Sequence, residues 1–110
     1  MKHINCGEAT AFDMVLPGAR SVTFRPLIGP EAAPSFIMLM LEVAPGGNTP
    51  DHNHEWEEEI FIVAGEGKLK TAEGEKRLRV GDALIIDRNM QHQFFNTGNG
   101  PMQFICVIPK

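Results

Sequence analysis

Apolar residues along this chain come in short runs, each closed by glycine, proline or asparagine. The runs predict strands at Ser21–Pro26, Phe36–Val43, Glu59–Ala64, Gly67–Thr71, Lys76–Val80, Ala83–Ile86, His92–Asn96 and Met102–Ile108. The intervening segments carry turn chemistry. Pro45-Gly46-Gly47 is expected to end one strand, and Gly65-Glu66-Gly67 to separate two more. Ala72-Glu73-Gly74-Glu75 and Asn96-Thr97-Gly98-Asn99-Gly100 are expected to close hairpins, because glycine and asparagine supply the positive φ such turns need. Helix signals are weak, since 11 Gly and 8 Pro are spread through the chain. The pattern is that of an all-β sandwich or barrel.

Phe36–Leu41 and Phe104–Ile108 are apolar at successive positions, so both faces of those strands need cover. The outer cover is a second sheet or a partner subunit, and a homodimer is the expected assembly. A chain of 110 residues makes one domain. We read residues 1–110 as a single unit, with a barrel core over about 35–110 and an N-terminal arm and strand in 1–34.

Composition narrows the classes of partner. Net charge is −4, and the densest basic stretch is Lys76-Arg77-Leu78-Arg79, which argues against nucleic acid. No apolar run reaches the roughly 20 residues of a membrane span. The N-terminus lacks a signal-peptide pattern, which points to the cytoplasm. Cys6 and Cys106 are expected as free thiols in that compartment.

Candidate chemistry is concentrated in His52-Asn53-His54-Glu55-Trp56-Glu57-Glu58-Glu59. Residues two apart in a strand share a face, so His52, His54 and Glu58 can project from one surface. Glu57 and Glu59 compete for the carboxylate role, and a bulge would bring Glu59 in instead. A second segment, Gly81 to His92, is a turn, a short apolar strand, another turn and a histidine.

Together the two segments resemble the paired motifs of the cupin superfamily. Gly46, His52, His54, Glu58 and Gly65 stand at the spacings of the first motif. Gly81, His92 and Asn96 stand at those of the second, with Asp87 and Asn89 in place of its proline and inner glycine. Asp starts turns through its side-chain oxygen and Asn tolerates the left-handed region, so both replacements fit a turn. The resemblance covers about residues 35–110 and is closest to minimal single-domain cupins. It implies a small jelly-roll barrel (a double-stranded β-helix) holding one divalent metal on His52, His54, Glu58 and His92.

Three imidazoles and a carboxylate suit iron, manganese or nickel, with zinc, cobalt and copper also compatible. Four protein ligands on an octahedral ion leave open positions, as a catalytic site requires. Phe94, Phe104, Cys106, Met38, Met40 and Trp56 are the candidates for the pocket wall. For the two methionines ordinary core is the competing reading, and for Trp56 a subunit interface. The partner is then a small organic molecule. A metal-dependent oxidation of dioxygenase type is one reading of the activity, non-catalytic metal or ligand binding a second, and a metal-assisted isomerase or lyase a third. The last needs a cationic anchor that is not evident in the sequence.

Overall fold

Along Met102–Pro109 the side chains of Met102, Phe104 and Cys106 are buried while Gln103, Ile105 and Val107 are less so. That period of two is what a strand with one face on a core produces. The computed structural model describes residues 1–110. It contains a 3-10 turn (Cys6–Glu8) and nine strands: β1 Phe12–Asp13, β2 Arg20–Ile28, β3 Phe36–Asn48, β4 Glu58–Ala64, β5 Glu66–Thr71, β6 Gly74–Arg79, β7 Ala83–Ile86, β8 His92–Asn96 and β9 Met102–Pro109. The chain is thus all-β, as the spacing of its turns predicts. No helix is long and apolar enough to cross a membrane.

The strands form one curled sheet in the order β6-β5-β8-β3-β9-β4-β7, with β2 also on β3 and β1 on β2. All strand pairs are antiparallel. The curl brings the β6–β7 turn against β4, where Ile62 N–H donates to Asp82 O and Gly81 N–H to Ile62 O, both at 2.9 Å. The concave side is filled by Val43, Ile62, Ile86, Met102 and Phe104, which are essentially inaccessible to water. The convex side of β3-β9-β4-β7 carries Met38, Met40, Ile105, Val107, Phe61 and Ile85, of which Phe61 and Ile85 are about half exposed. The doubly apolar strands therefore have a filled inner face and a bare outer one.

The structure departs from the sequence reading at β3. This strand does not stop at Pro45-Gly46-Gly47 but runs on to Asn48. It pairs with β9 from Phe36 to Val43 and meets β8 only at Asn48, opposite Phe95. Gly46, at φ +79°, lets the strand turn this corner. A Cβ on Gly47 would meet the carbonyl oxygens of Arg20 and Ala44. The glycines bend a continuous strand here instead of ending it. Strand β2 is also longer than Ser21–Pro26, and it pairs with β3 from Arg20 to Ile28; the register shifts where Ser21 faces the β3 corner Ala44–Gly47, and again at a bulge at Leu27.

Asn96 closes the last hairpin from inside. Its Nδ2 donates to Val43 O (2.8 Å) and Gly100 O (2.9 Å), and its Oδ1 accepts from Gly98 N–H (2.8 Å). All three bonds are lost in Asn96→Ala, and the side chain is buried. We expect Asn96→Ala to lower stability by about 2–4 kcal/mol. Urea denaturation measures this, and a loss below about 1 kcal/mol would show that the β8–β9 turn holds itself.

Candidate metal centre and cavity

His52 and His92 face each other across an isolated antiparallel bridge. His52 N–H donates to His92 O (3.2 Å) and His92 N–H to His52 O (2.9 Å). Residues paired directly across antiparallel strands present their side chains on the same side, and the two rings lie 4.8 Å apart, centroid to centroid. His54 is placed by the turn Asp87–Met90. Met90 N–H closes the turn on Asp87 O (3.1 Å), and Asn89 N–H donates to His54 O (2.7 Å). Asn89 has φ +62°, the left-handed conformation a glycine would otherwise supply.

The ligand-type nitrogens of His52, His54 and His92 lie within 4.8 Å of one another. Their inward orientation is set by the backbone. His92 Nδ1 lies 2.8 Å from Met90 O, and His54 Nδ1 lies 2.7 Å from Trp56 O. A carbonyl can only accept, so each Nδ1 carries a proton, and in the neutral imidazole Nε2 is the nitrogen that presents a lone pair. Glu58 Oε1 stands 2.6 Å from His54 Nε2 and 4.0 Å from His92 Nε2. Yet His54 Nε2 is buried without a hydrogen-bond partner. Contact this close calls for positive charge, either a proton on Nε2 or a cation beside both atoms, and a divalent ion on the histidines is one way to supply it. The donor set of three nitrogens and a carboxylate oxygen has the composition such an ion takes.

The three acidic neighbours are sorted by β4. Glu58 pairs with Ile86 and alternates in phase with buried Ile60 and Ile62, so it points inward. Glu59 takes the outer face. Glu57 precedes the strand and accepts a hydrogen bond from Arg88 Nε (3.1 Å). The parity argument from His52 to Glu58 assumed a continuous strand, whereas residues 53–57 are irregular and β4 begins only at Glu58. Glu58 is brought to the histidines by the core alternation that follows it.

Burial, followed by the neighbouring His92 and His54, lowers the His52 pKa from its ordinary value. Cys106 Sγ donates to Glu58 Oε2 at 3.3 Å. Burial first, then the charge of Glu58 and this bond, push the Cys106 thiol well above its ordinary range.

The histidines stand at one side of a cavity of about 410 Å³. Of the residues expected in its wall, Phe94, Phe104, Cys106 and Trp56 line it. Phe94 and Phe104 pack with centroids 4.7 Å apart. Trp56 stacks on His54 at 4.3 Å, with an interplanar angle of 8°. Met38 and Met40 do not line the cavity. Leu39 and Leu41 do, because β3 pairs Leu39 with Cys106 and Leu41 with Phe104, which leaves the methionines on the outer face. The sequence reading also missed Met14, Val15, Leu16 and Phe24, which complete the wall from the N-terminal arm and β2. The apolar triplet before Pro17-Gly18 was the available signal. No lysine or arginine lines the cavity.

A buried, protonated thiol is a poor nucleophile. Iodoacetamide under native conditions should therefore label exposed Cys6 and spare Cys106. Peptide mass spectrometry reads this directly, and equal labelling of the two would contradict the geometry.

The family model for the Cupin domain matches residues 39–108. The crystal structure of the polyketide cyclase RemF from Streptomyces resistomycificus superposes with a TM-score of 0.92 at 33% sequence identity, covering 99% of this chain and 79% of that one. Protein SchB of Streptomyces halstedii is 33% identical over 93 residues, 81% of this chain and 67% of SchB. The oxalate-binding protein of Thermotoga maritima is 32% identical over 73 residues, 66% of this chain. The matched stretch spans 60% of the length of that protein.

Proposed function

The chain belongs to the cupin family, and from that premise we propose that it is a metal-dependent enzyme that cyclises a polyketide-type substrate, a largely apolar carbon chain bearing carbonyl oxygens. The observation that carries this reading is the cavity's composition: an apolar wall with no cationic side chain, ending at a cluster of three histidines and Glu58. The likeness to a polyketide cyclase over 99% of the chain supports it. Oxalate, which one relative binds, is a small dianion. The ion on the histidines would be its only cationic partner, since no lysine or arginine lines the wall, and so small a dianion leaves the apolar surface of Phe94, Phe104, Leu39 and Leu41 without a contact. A sugar phosphate bound to the ion through its sugar oxygens would find no lysine or arginine for its phosphate.

His52, His54, Glu58 and His92 would hold the ion, which supplies a Lewis acid that polarises substrate carbonyl oxygen. The protein's own contribution is placement. The carbonyls of Met90 and Trp56 fix the tautomers of His92 and His54. The Cys106 thiol anchors the second oxygen of Glu58. Phe94, Phe104, Leu39 and Leu41 exclude water and confine a flexible chain to folded conformers, which raises the effective concentration of its reacting carbons. Ring closure joins a methylene carbon to a carbonyl carbon, the methylene proton passing to the carbonyl oxygen. Loss of water and enolisation of the remaining ring carbonyls then give the aromatic ring. Both steps are redox-neutral.

The protein purified without added metal should carry about one divalent ion per chain by elemental analysis. His92→Ala and His52→Ala should each weaken metal affinity by about 100-fold or more. The loaded protein, given a linear poly-β-ketone, should release a product lighter by water without oxygen uptake. Oxygen consumed in step with turnover would move the assignment to a dioxygenase, a reading that the donor set also favours. Ligand binding with no product across such substrates would leave a binding protein.

For the bare outer face we propose a second copy of the chain as occupant. An isologous pair brings the same patch against itself, so Met38 and Met40 of one copy can meet Phe61 of the other. Light scattering should give a dimer at about 10 μM that Phe61→Asp dissociates. A monomeric wild-type protein would refute this assembly.

A further inference from the structure

The N-terminal arm supplies part of the cavity wall from outside the residues that match the family model. After β1, Met14 N–H bonds to Val22 O at 2.9 Å, which ties the arm to β2. The segment then turns at Leu16-Pro17-Gly18-Ala19, closed by Ala19 N–H on Leu16 O (3.1 Å). Gly18 has φ +87°, the conformation required at the third position of a type II turn, and Pro17 suits the second. Asn48 Nδ2 at the end of β3 grips Gly18 O at 2.9 Å. The segment is therefore anchored on both sides of Val15 and Leu16.

Val15 and Leu16 are nonetheless 89% and 51% exposed while forming part of the lining. Scattered surface valines need no explanation. These two differ because they are held on fixed backbone, side by side, and continuous with an apolar cavity. Trp56, 44% exposed, lines the same cavity from the histidine side. Nothing in the protein itself covers this rim. The occupant that suits it is the apolar part of a ligand whose oxygens reach the histidines.

We propose that Val15 and Leu16, with Trp56, form a preorganised apolar collar that sets the length selectivity of the site, favouring ligands whose carbon skeleton continues past the oxygen-bearing end. This rests on the substrate class proposed above and adds which residues read the far end of that substrate. The collar gives no advantage to a ligand too short to touch it.

A series of β-diketones with one head group and growing tails tests this: acetylacetone, benzoylacetone and dibenzoylmethane. Calorimetric titration on manganese-loaded and metal-free protein gives the affinity ratio of dibenzoylmethane to acetylacetone. The ratio should exceed one in the wild type and fall about tenfold in the Val15→Ser/Leu16→Ser double variant, the scale expected from one aliphatic contact area. Val80→Ser, an exposed apolar position outside the cavity lining, should keep the wild-type ratio. Circular dichroism and thermal melting check that each variant is folded.

The metal-free arm separates the two claims. If acetylacetone binds loaded and metal-free protein alike, the metal-site reading fails, while the tail dependence still tests the collar. A double variant with the wild-type ratio overturns the collar whatever the metal does. Failure of dibenzoylmethane to bind the wild type in either state overturns it as well.

Discussion

Two backbone hydrogen bonds, exchanged between His52 and His92, hold the site together. They join segments forty residues apart, close to a further bond from Thr49 N–H to Phe94 O (2.9 Å). Because paired residues share a face, this one bridge puts two imidazoles side by side before any side-chain interaction is counted. The third follows from the Asp87–Met90 turn, whose Asn89 N–H bonds to His54 O. The geometry of the histidines is thus backbone geometry, which side-chain motion perturbs little. Glu58 is attached to it through the core, since the alternation that buries Ile60 and Ile62 also turns Glu58 inward.

That division of labour explains how a buried cluster of titratable groups is tolerated in a small domain. Isolated charges inside an apolar wall are costly. Here each group has a neighbour that compensates it. Backbone carbonyls take the Nδ1 protons of His54 and His92, the Cys106 thiol donates to Glu58, and burial keeps His52 toward its neutral form. The exception is His54 Nε2, which stands 2.6 Å from Glu58 Oε1 without making a hydrogen bond. The cavity beyond it is apolar and free of cationic side chains, so a substrate's polar contacts are drawn toward this end.

The legible parts of the sequence were those governed by local periodicity. Turn residues and short apolar runs marked eight strands. The replacement of glycine by Asn89 was readable too, because left-handed backbone is a local property. Errors arose where phase had to be carried across an irregularity. Met38 and Met40 were considered for the cavity because a run that is apolar at every position conceals which face is inner. Pairing with β9 decides it, and selects Leu39 and Leu41. Gly46-Gly47 looked like an end because a glycine that bends a strand and one that ends it look alike in sequence.

What the sequence by itself determined was the inventory: an all-β chain, three histidines and a glutamate at two spaced motifs, and an apolar majority in the strands around them. These follow from residue type and short-range spacing. What only the tertiary structure decided was phase and proximity. It settled which of three adjacent glutamates faces the histidines, which side of β3 looks inward, and that Val15 and Leu16, more than thirty residues before His52, stand in the wall of the same cavity. Each depends on hydrogen-bond register between strands distant in the chain. Register is a property of paired backbones, which no single run of residues contains.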